Sequence, residues 1–479
     1  MTSTPPIVFG TDGWRGVIAD DYTFENVRAV AQAMAEWMKR DGYAEKGVTI
    51  GYDTRFLSGS FASAAAEVMA ANGIRVALSS TFLPTPALSF AVREREAGAG
   101  IMITASHNPA RWNGFKVKPW YGGSAPPEVT AAIEGAIPAV QASGRTQYAA
   151  LGELEAQGLV ERFDVRPSYL RACAAFVDVD RIKAAGFHIL VDSMFGAAQG
   201  LIAKAVLGGA TTVQELHGER NPSFPGLRAP EPIAPNLTEP MDLIAKGGFD
   251  CGLATDGDGD RFGLIDERGR FVTQLQTFAL LVHYFLEVRG ERGAIVRSVT
   301  MTRMVDRLGE LYGCPVHETR VGFKYLGPKM METDAMIAGE ESGGSAFRGH
   351  IPERDGVLSG LLVLDAMAKT GKRPSELLAD VYARVGPHEY DRIDVTVRPE
   401  ERTAIEERVG GARPAQVAGL AVTGMDQIDG YRFTLEGGWW LLIRFSGTEP
   451  LMRIYAEMPS MAQVEQALAE GQALAGVSL

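Results

Sequence analysis

Short apolar, β-branched runs alternate with longer Ala-rich stretches of helical period along most of the chain, the pattern of strands packed between helices. "GVTIGYD" predicts a strand that ends in a polar turn, and "GSFASAAAEVMAANG" after it predicts a helix stopped at Gly73. "RVALSS" and "GAGIMITAS" follow as strands. The same strand–turn–helix rhythm returns at "FHILVDSMFGAAQGLIAKAVLGG" and "GAIVRSVTMTRMVDRLGELYG", which predicts three similar α/β domains with mixed sheets. Near 385–392 the texture changes. "YDRIDVTVRP", "AVTGMDQIDGYRFTLEGGWWLLIRFSG" and "LMRIYAEM" read as short, mostly antiparallel strands, and an Ala-rich helix follows Met461. That predicts a C-terminal α+β domain. The expected division is 1–160, 161–267, 268–386 and 387–479.

A chain of 479 residues exceeds one hydrophobic core, in agreement with several domains. Its 46% hydrophobic and 22% charged content is ordinary for a globular protein. No cleavable leader and no membrane-length apolar run is seen, so the expectation is a cytoplasmic protein without a membrane partner. A net charge of −12 disfavours nucleic acid. It also means that any phosphate site must gather cations, a metal or backbone N–H groups locally. Cys173, Cys251 and Cys314 show no metal spacing and read as small buried apolar residues.

Four segments carry chemistry. In "TASHNPARWNGFKV", residues 104–117, Ser106 sits in a strand-exit loop with His107 beside it and Lys116 downstream. Strand ends are where α/β folds build sites, although a lone loop serine more often only stabilises a turn. In "LATDGDGDRFGLID", residues 253–266, Asp256, Asp258 and Asp260 alternate with glycines and can aim hard oxygen ligands at one cation. An EF-hand loop is the rival reading. It fails because Arg261 stands where the turn glycine belongs and the flanks read as strands.

In "AGEESGG", residues 338–344, Glu340, Glu341 and Ser342 lie on a glycine-punctuated loop suited to sugar hydroxyls. In "IRFSGTEPLMRIYAE", residues 443–457, a guanidinium, two hydroxyls and a glycine lie between strands, and Arg453 returns on the next strand. That composition makes a phosphate cradle. Arg15 in "FGTDGWRG" and Lys324 in "RVGFKYLGPKM" are further candidate cations.

Taken in order, "FGTDGWRG", "TASHNP", "DGDGDR", "GEESGG" and "RFSGTEP" resemble the α-D-phosphohexomutase superfamily, which includes phosphoglucomutases and phosphomannomutases. The resemblance spans nearly the whole chain and implies four domains around a central cleft. It implies that Ser106 is a phosphoserine and that Asp256, Asp258 and Asp260 hold Mg²⁺ together with it. Glu340 and Ser342 would grip sugar hydroxyls, and Arg444, Ser446, Gly447, Thr448 and Arg453 would hold the non-reacting phosphate. Arg15, His107, Lys116, Arg261 and Lys324 would stabilise charge or move protons.

The implied reaction interconverts hexose 1- and 6-phosphates through a hexose 1,6-bisphosphate, with glucose favoured and mannose second. A mobile last domain would suit an intermediate that must turn over. Alternatives are a phosphomannomutase or phosphoglucosamine mutase as main activity, a bisphosphate synthase or phosphatase, and a non-catalytic sensor. The expected partners are small sugar phosphates, and the expected assembly is a monomer or homodimer.

Overall fold

The computed structural model describes residues 7–446 and 451–477. Its first sheet contains β1 (Trp14–Val17), β2 (Val48–Tyr52), β3 (Val76–Ser79), β4 (Ala99–Ile103), β5 (Trp112–Pro119) and β6 (Val160–Phe163), in the order β1-β5-β4-β2-β3-β6. Strands β2, β3, β4 and β6 run parallel, while β5 returns antiparallel to β4. Every residue of β4 is buried, as a parallel strand covered by helices on both faces requires. Helices Phe24–Arg40, Ser58–Ala71 and Pro127–Ser143 pack into one core on this sheet. Helix Thr85–Glu94 instead joins the core shared with the next two domains.

The second sheet contains β7 (His188–Asp192), β8 (Thr212–Leu216), β9 (Cys251–Thr255), β10 (Phe262–Ile265) and β11 (Phe271–Val272), in the order β11-β10-β9-β7-β8. The third contains β12 (Ile295–Ser298), β13 (Val316–Thr319), β14 (Ile337–Gly339) and β15 (Ser345–Phe347), in the order β13-β12-β14-β15. All three sheets share one plan. In each, a four-strand unit (β2–β5, β7–β10 and β12–β15) pairs its first strand in parallel with its second and third, and its fourth folds back antiparallel on the third. The loop between third and fourth strands is the serine loop in the first domain, the aspartate loop in the second and the Glu340 loop in the third. The repeated rhythm of the sequence therefore has a structural counterpart, and the three candidate loops occupy one topological position. Strand β6 straddles residue 160, and β11 belongs to the second sheet although it follows residue 267.

The fourth sheet is wholly antiparallel: β16 (Glu389–Thr396), β17 (Gln416–Val417), β18 (Leu420–Asp426), β19 (Tyr431–Leu435), β20 (Trp440–Phe445) and β21 (Leu451–Met458), in the order β16-β21-β20-β19-β18-β17. Alternation along β20 buries both faces. Leu441 and Ile443 enter the core covered by helices Pro399–Gly411 and Met461–Ala475. Trp440 and Leu442 instead pack against Val299 from the third domain. All three cysteines are buried and unpaired, and no described helix is long and apolar enough to cross a membrane.

Candidate active site

Arg55 shapes the serine loop. Its buried guanidinium donates to the carbonyls of Ser106 at 2.6 Å, Asn108 at 2.5 Å, Pro109 at 2.9 Å and Trp112 at 3.2 Å. Asp53 balances its charge at 3.2 Å. Ser106 is thereby held at φ 51°, a left-handed conformation that non-glycine residues rarely adopt. Its Oγ donates to Asp256 Oδ2 at 2.9 Å and lies 3.2 Å from His107 Nδ1. Burial, with Arg261, Arg15 and Lys116 nearby, holds the His107 imidazole well below its ordinary range. Arg15, on β1, donates to the Asn108 side chain and so flanks the same loop.

The three aspartates are fully buried, and one ligand atom from each lies within 4.8 Å of the others. Asp256 Oδ1 accepts the backbone N–H groups of Asp260 and Arg261, which closes the turn. Asp258 Oδ2 accepts from Thr85 Oγ1 at 2.5 Å and Lys116 Nζ at 2.9 Å. Asp260 Oδ2 accepts from Lys116 at 3.1 Å and pairs with Arg354 at 2.9 Å. The Oδ1 atoms of Asp258 and Asp260 have no hydrogen-bond partner among the described residues. Two orphaned carboxylate oxygens in a buried cluster are costly unless a cation meets them. The donor set, all hard carboxylate oxygens, fits Mg²⁺.

Electrostatics divides these carboxylates. Burial and the charges of Asp258 and Asp260 push Asp256 well above the usual carboxylate range. Burial also pushes Asp258 up, but Lys116 and Thr85 outweigh it and hold it low. Burial raises Asp260 despite Arg354. Burial disfavours the charged form of Lys116, yet Asp12, Asp258 and Asp260 together hold its ammonium above its ordinary value.

Glu340, on the third loop, accepts from Ser342 Oγ at 2.7 Å and from Arg354 Nη1 at 3.0 Å through Oε1. Glu341 turns toward the fourth domain, where Tyr390 and Arg392 donate to it. Arg261 pairs with Glu231 at 2.7 Å. Lys324 opens helix Phe323–Glu332, beside Gly322, whose backbone lies close to the Thr11 side chain. Arg444 and Arg453 stand opposite each other on β20 and β21, paired with Asp429 and Asp394 respectively. Ser446 is buried and its N–H donates to Leu451 O, while Gly447 and Thr448 lie outside the described residues.

Serine loop, aspartate loop and Glu340 thus meet through Lys116 and Arg354. Sequence reading missed Asp12, Arg55, Thr85, Lys118, Glu353 and Arg354. The one usable signal was the Lys116–Val117–Lys118 alternation on β5, which puts both lysines on one face.

The whole chain finds relatives. Residues 6–143, 167–269 and 274–385 match the phosphoglucomutase/phosphomannomutase alpha/beta/alpha domains I, II and III, and residues 398–471 match the C-terminal domain. A protein named phosphoglucomutase/phosphomannomutase from Thermococcus kodakarensis is 30% identical, with 97% of each chain covered. A phosphoglucosamine mutase from Desulforamulus reducens is also 30% identical, with 96% of each covered. A crystal structure of a candidate phosphomannomutase from Thermus thermophilus superposes with a TM-score of 0.85 at 35% identity, covering 99% of this chain and 100% of that one. The chain belongs to the phosphoglucomutase/phosphomannomutase family of α-D-phosphohexomutases, isomerases of hexose phosphates.

Proposed function

We propose that this protein interconverts glucose 1-phosphate and glucose 6-phosphate, with mannose phosphates as second substrates, through a phosphoserine at Ser106 and a hexose 1,6-bisphosphate. The observation that carries the reading is Ser106 Oγ at 2.9 Å from Asp256, beside the unpartnered Oδ1 atoms of Asp258 and Asp260. Asp256, Asp258, Asp260 and the phosphorylated Ser106 would hold Mg²⁺. When bound, Mg²⁺ supplies Lewis-acid neutralisation of phosphoryl charge.

The chain's own residues do the rest. Arg55 fixes the direction from which Ser106 presents its oxygen. Lys116, paired with Asp12, Asp258 and Asp260, stabilises negative charge on the equatorial oxygens of the moving phosphoryl group. Arg15 and Arg261 add positive charge beside His107, which contacts the serine oxygen, and Lys324 would act from the start of helix Phe323–Glu332.

The phosphoryl group leaves Ser106 for the free hydroxyl of the sugar monophosphate: the Ser106 O–P bond breaks as the new O–P bond forms, and the hydroxyl proton ends on the freed Ser106 oxygen. The bisphosphate turns over, and its other phosphoryl group returns to Ser106. Glu340 Oε1 is engaged by Ser342 and Arg354, while Oε2 makes no hydrogen bond among the described residues and can accept a sugar hydroxyl. Arg444 and Arg453, paired across one hairpin, suit the phosphate that does not react, together with Ser446, Gly447 and Thr448.

The test is a parallel assay of glucose 1-phosphate, mannose 1-phosphate and glucosamine phosphate with Mg²⁺ and a trace of hexose bisphosphate. The highest kcat/KM is expected for glucose. A clear preference for glucosamine phosphate would overturn the substrate, and steady phosphate release without isomerisation would overturn the reaction.

A further inference from the structure

Arg354 touches more of the site than any residue read from the sequence. Its guanidinium meets Asp12 at 2.6 Å, Asp260 at 2.9 Å, Glu340 at 3.0 Å and Glu353 at 3.2 Å. These carboxylates come from the first, second and third domains, and Arg354 itself is buried. Its root is rigid. The next residue, Asp355, caps helix Gly356–Thr370 by accepting the Leu358 N–H, and it also accepts from Tyr169 Oη and contacts His350 Nε2. Space for the side chain is provided at Gly344, where a Cβ would stand 2.2 Å from Arg354 Cδ and 2.4 Å from Cγ.

The choice of oxygens gives this contact a direction. Arg354 takes Asp260 Oδ2 and leaves Oδ1 unpartnered within the aspartate cluster. It takes Glu340 Oε1 and leaves Oε2 without a described partner. A fork-shaped guanidinium can hold two carboxylates in fixed orientation, which a point-charge ammonium cannot.

We infer that Arg354 is a positioning residue that couples the two loops, aiming Asp260 at the cation and Glu340 at the sugar so that a change in one loop alters affinity at the other. The inference rests on the functional reading of those loops given above. If Glu340 no longer holds its share of the guanidinium, Arg354 settles on Asp260 and Asp12 and competes with the cation. Coupling of this kind is reciprocal, so it can be read from metal binding alone.

The experiment is a double-mutant cycle read by Mn²⁺ affinity, using electron paramagnetic resonance on the full-length protein without turnover. Arg354→Lys is expected to weaken Mn²⁺ binding ~10–100-fold, as loss of an outer-shell orienting group does. Glu340→Gln is expected to weaken it several-fold in the wild-type background and not at all beside Arg354→Lys. Wild-type affinity in Arg354→Lys, or an equal Glu340→Gln effect in both backgrounds, would overturn the coupling. Should Arg354→Lys fail to fold, Glu340→Gln alone decides, because unchanged Mn²⁺ affinity in that variant contradicts the inference. Asp258→Asn separates the two levels. If it abolishes Mn²⁺ binding while Arg354→Lys leaves the affinity at the wild-type value, only the coupling fails; if it changes nothing, the metal assignment fails with it.

Discussion

Ser106 Oγ and Asp256 Oδ2 are 2.9 Å apart although 150 residues and two different sheets separate them. The contact exists because β4 and β9 end at the same place and each carries its loop there. Glycine permits it: a Cβ on Gly257 would stand 2.5 Å from Ser106 O and 3.0 Å from Pro230 Cγ. Gly257→Ala must therefore separate the two loops. We expect a loss of about 1–3 kcal/mol in stability and a larger fall in kcat than in substrate affinity. Normal turnover in this variant would show that the close approach is dispensable.

Arg55 is the second prediction. It holds four loop carbonyls and Ser106 in a left-handed conformation, so Arg55→Lys keeps the charge and loses most of the hydrogen bonds. The expected cost is about 3 kcal/mol in thermal or denaturant unfolding, accompanied by ~10²-fold lower turnover. Unfolding and kinetics measured on one preparation distinguish this from a purely local serine effect.

The serine itself gives a split readout. Ser106→Ala should lose essentially all mutase turnover but keep Mn²⁺ binding within ~10-fold, since the three aspartates remain. Calorimetric titration with Mn²⁺ beside an isomerisation assay checks both halves.

A pH prediction concerns the fourth domain. His388 is buried against Trp439, with ring centroids 4.7 Å apart, and its Nε2 has no partner among the described residues. Burial brings it down to about 4, although the Gly386 carbonyl opposes this. Between the unfolded value near 6.5 and about 4 the unfolded chain binds more protons, so stability falls as pH falls through that window. At pH 5 the loss is on the order of 2 kcal/mol. His388→Leu should remove that part, seen as a smaller difference in denaturation midpoint between pH 7.5 and pH 5 than in the wild type. Equal differences would sink the assignment.

What the sequence made legible was local. The serine, aspartate and Glu340 loops each concentrate their chemistry within a few adjacent residues, and the strands that present them are short apolar runs. Arg354 and Asp12 were not legible, because 342 residues separate them and nothing local in "PERDG" marks an active-site arginine. Lys118 was hidden for a different reason. An alternating Phe-Lys-Val-Lys strand looks half solvated, yet Lys116 and Lys118 are both buried, and the acidic partners that compensate them come from distant loops. Arg55 follows a strand as many solvated arginines do, and only the fold brings four carbonyls to it.

Phosphoryl transfer through Ser106 can be followed directly with a labelled phosphate. The protein is incubated with hexose 1,6-bisphosphate carrying a labelled phosphate, then isolated and chased with unlabelled glucose 1-phosphate. Acid-stable label is expected on Ser106, moving into hexose phosphate on the chase, with no label in Ser106→Ala. Label on another residue, or label that leaves only as inorganic phosphate, would contradict this route.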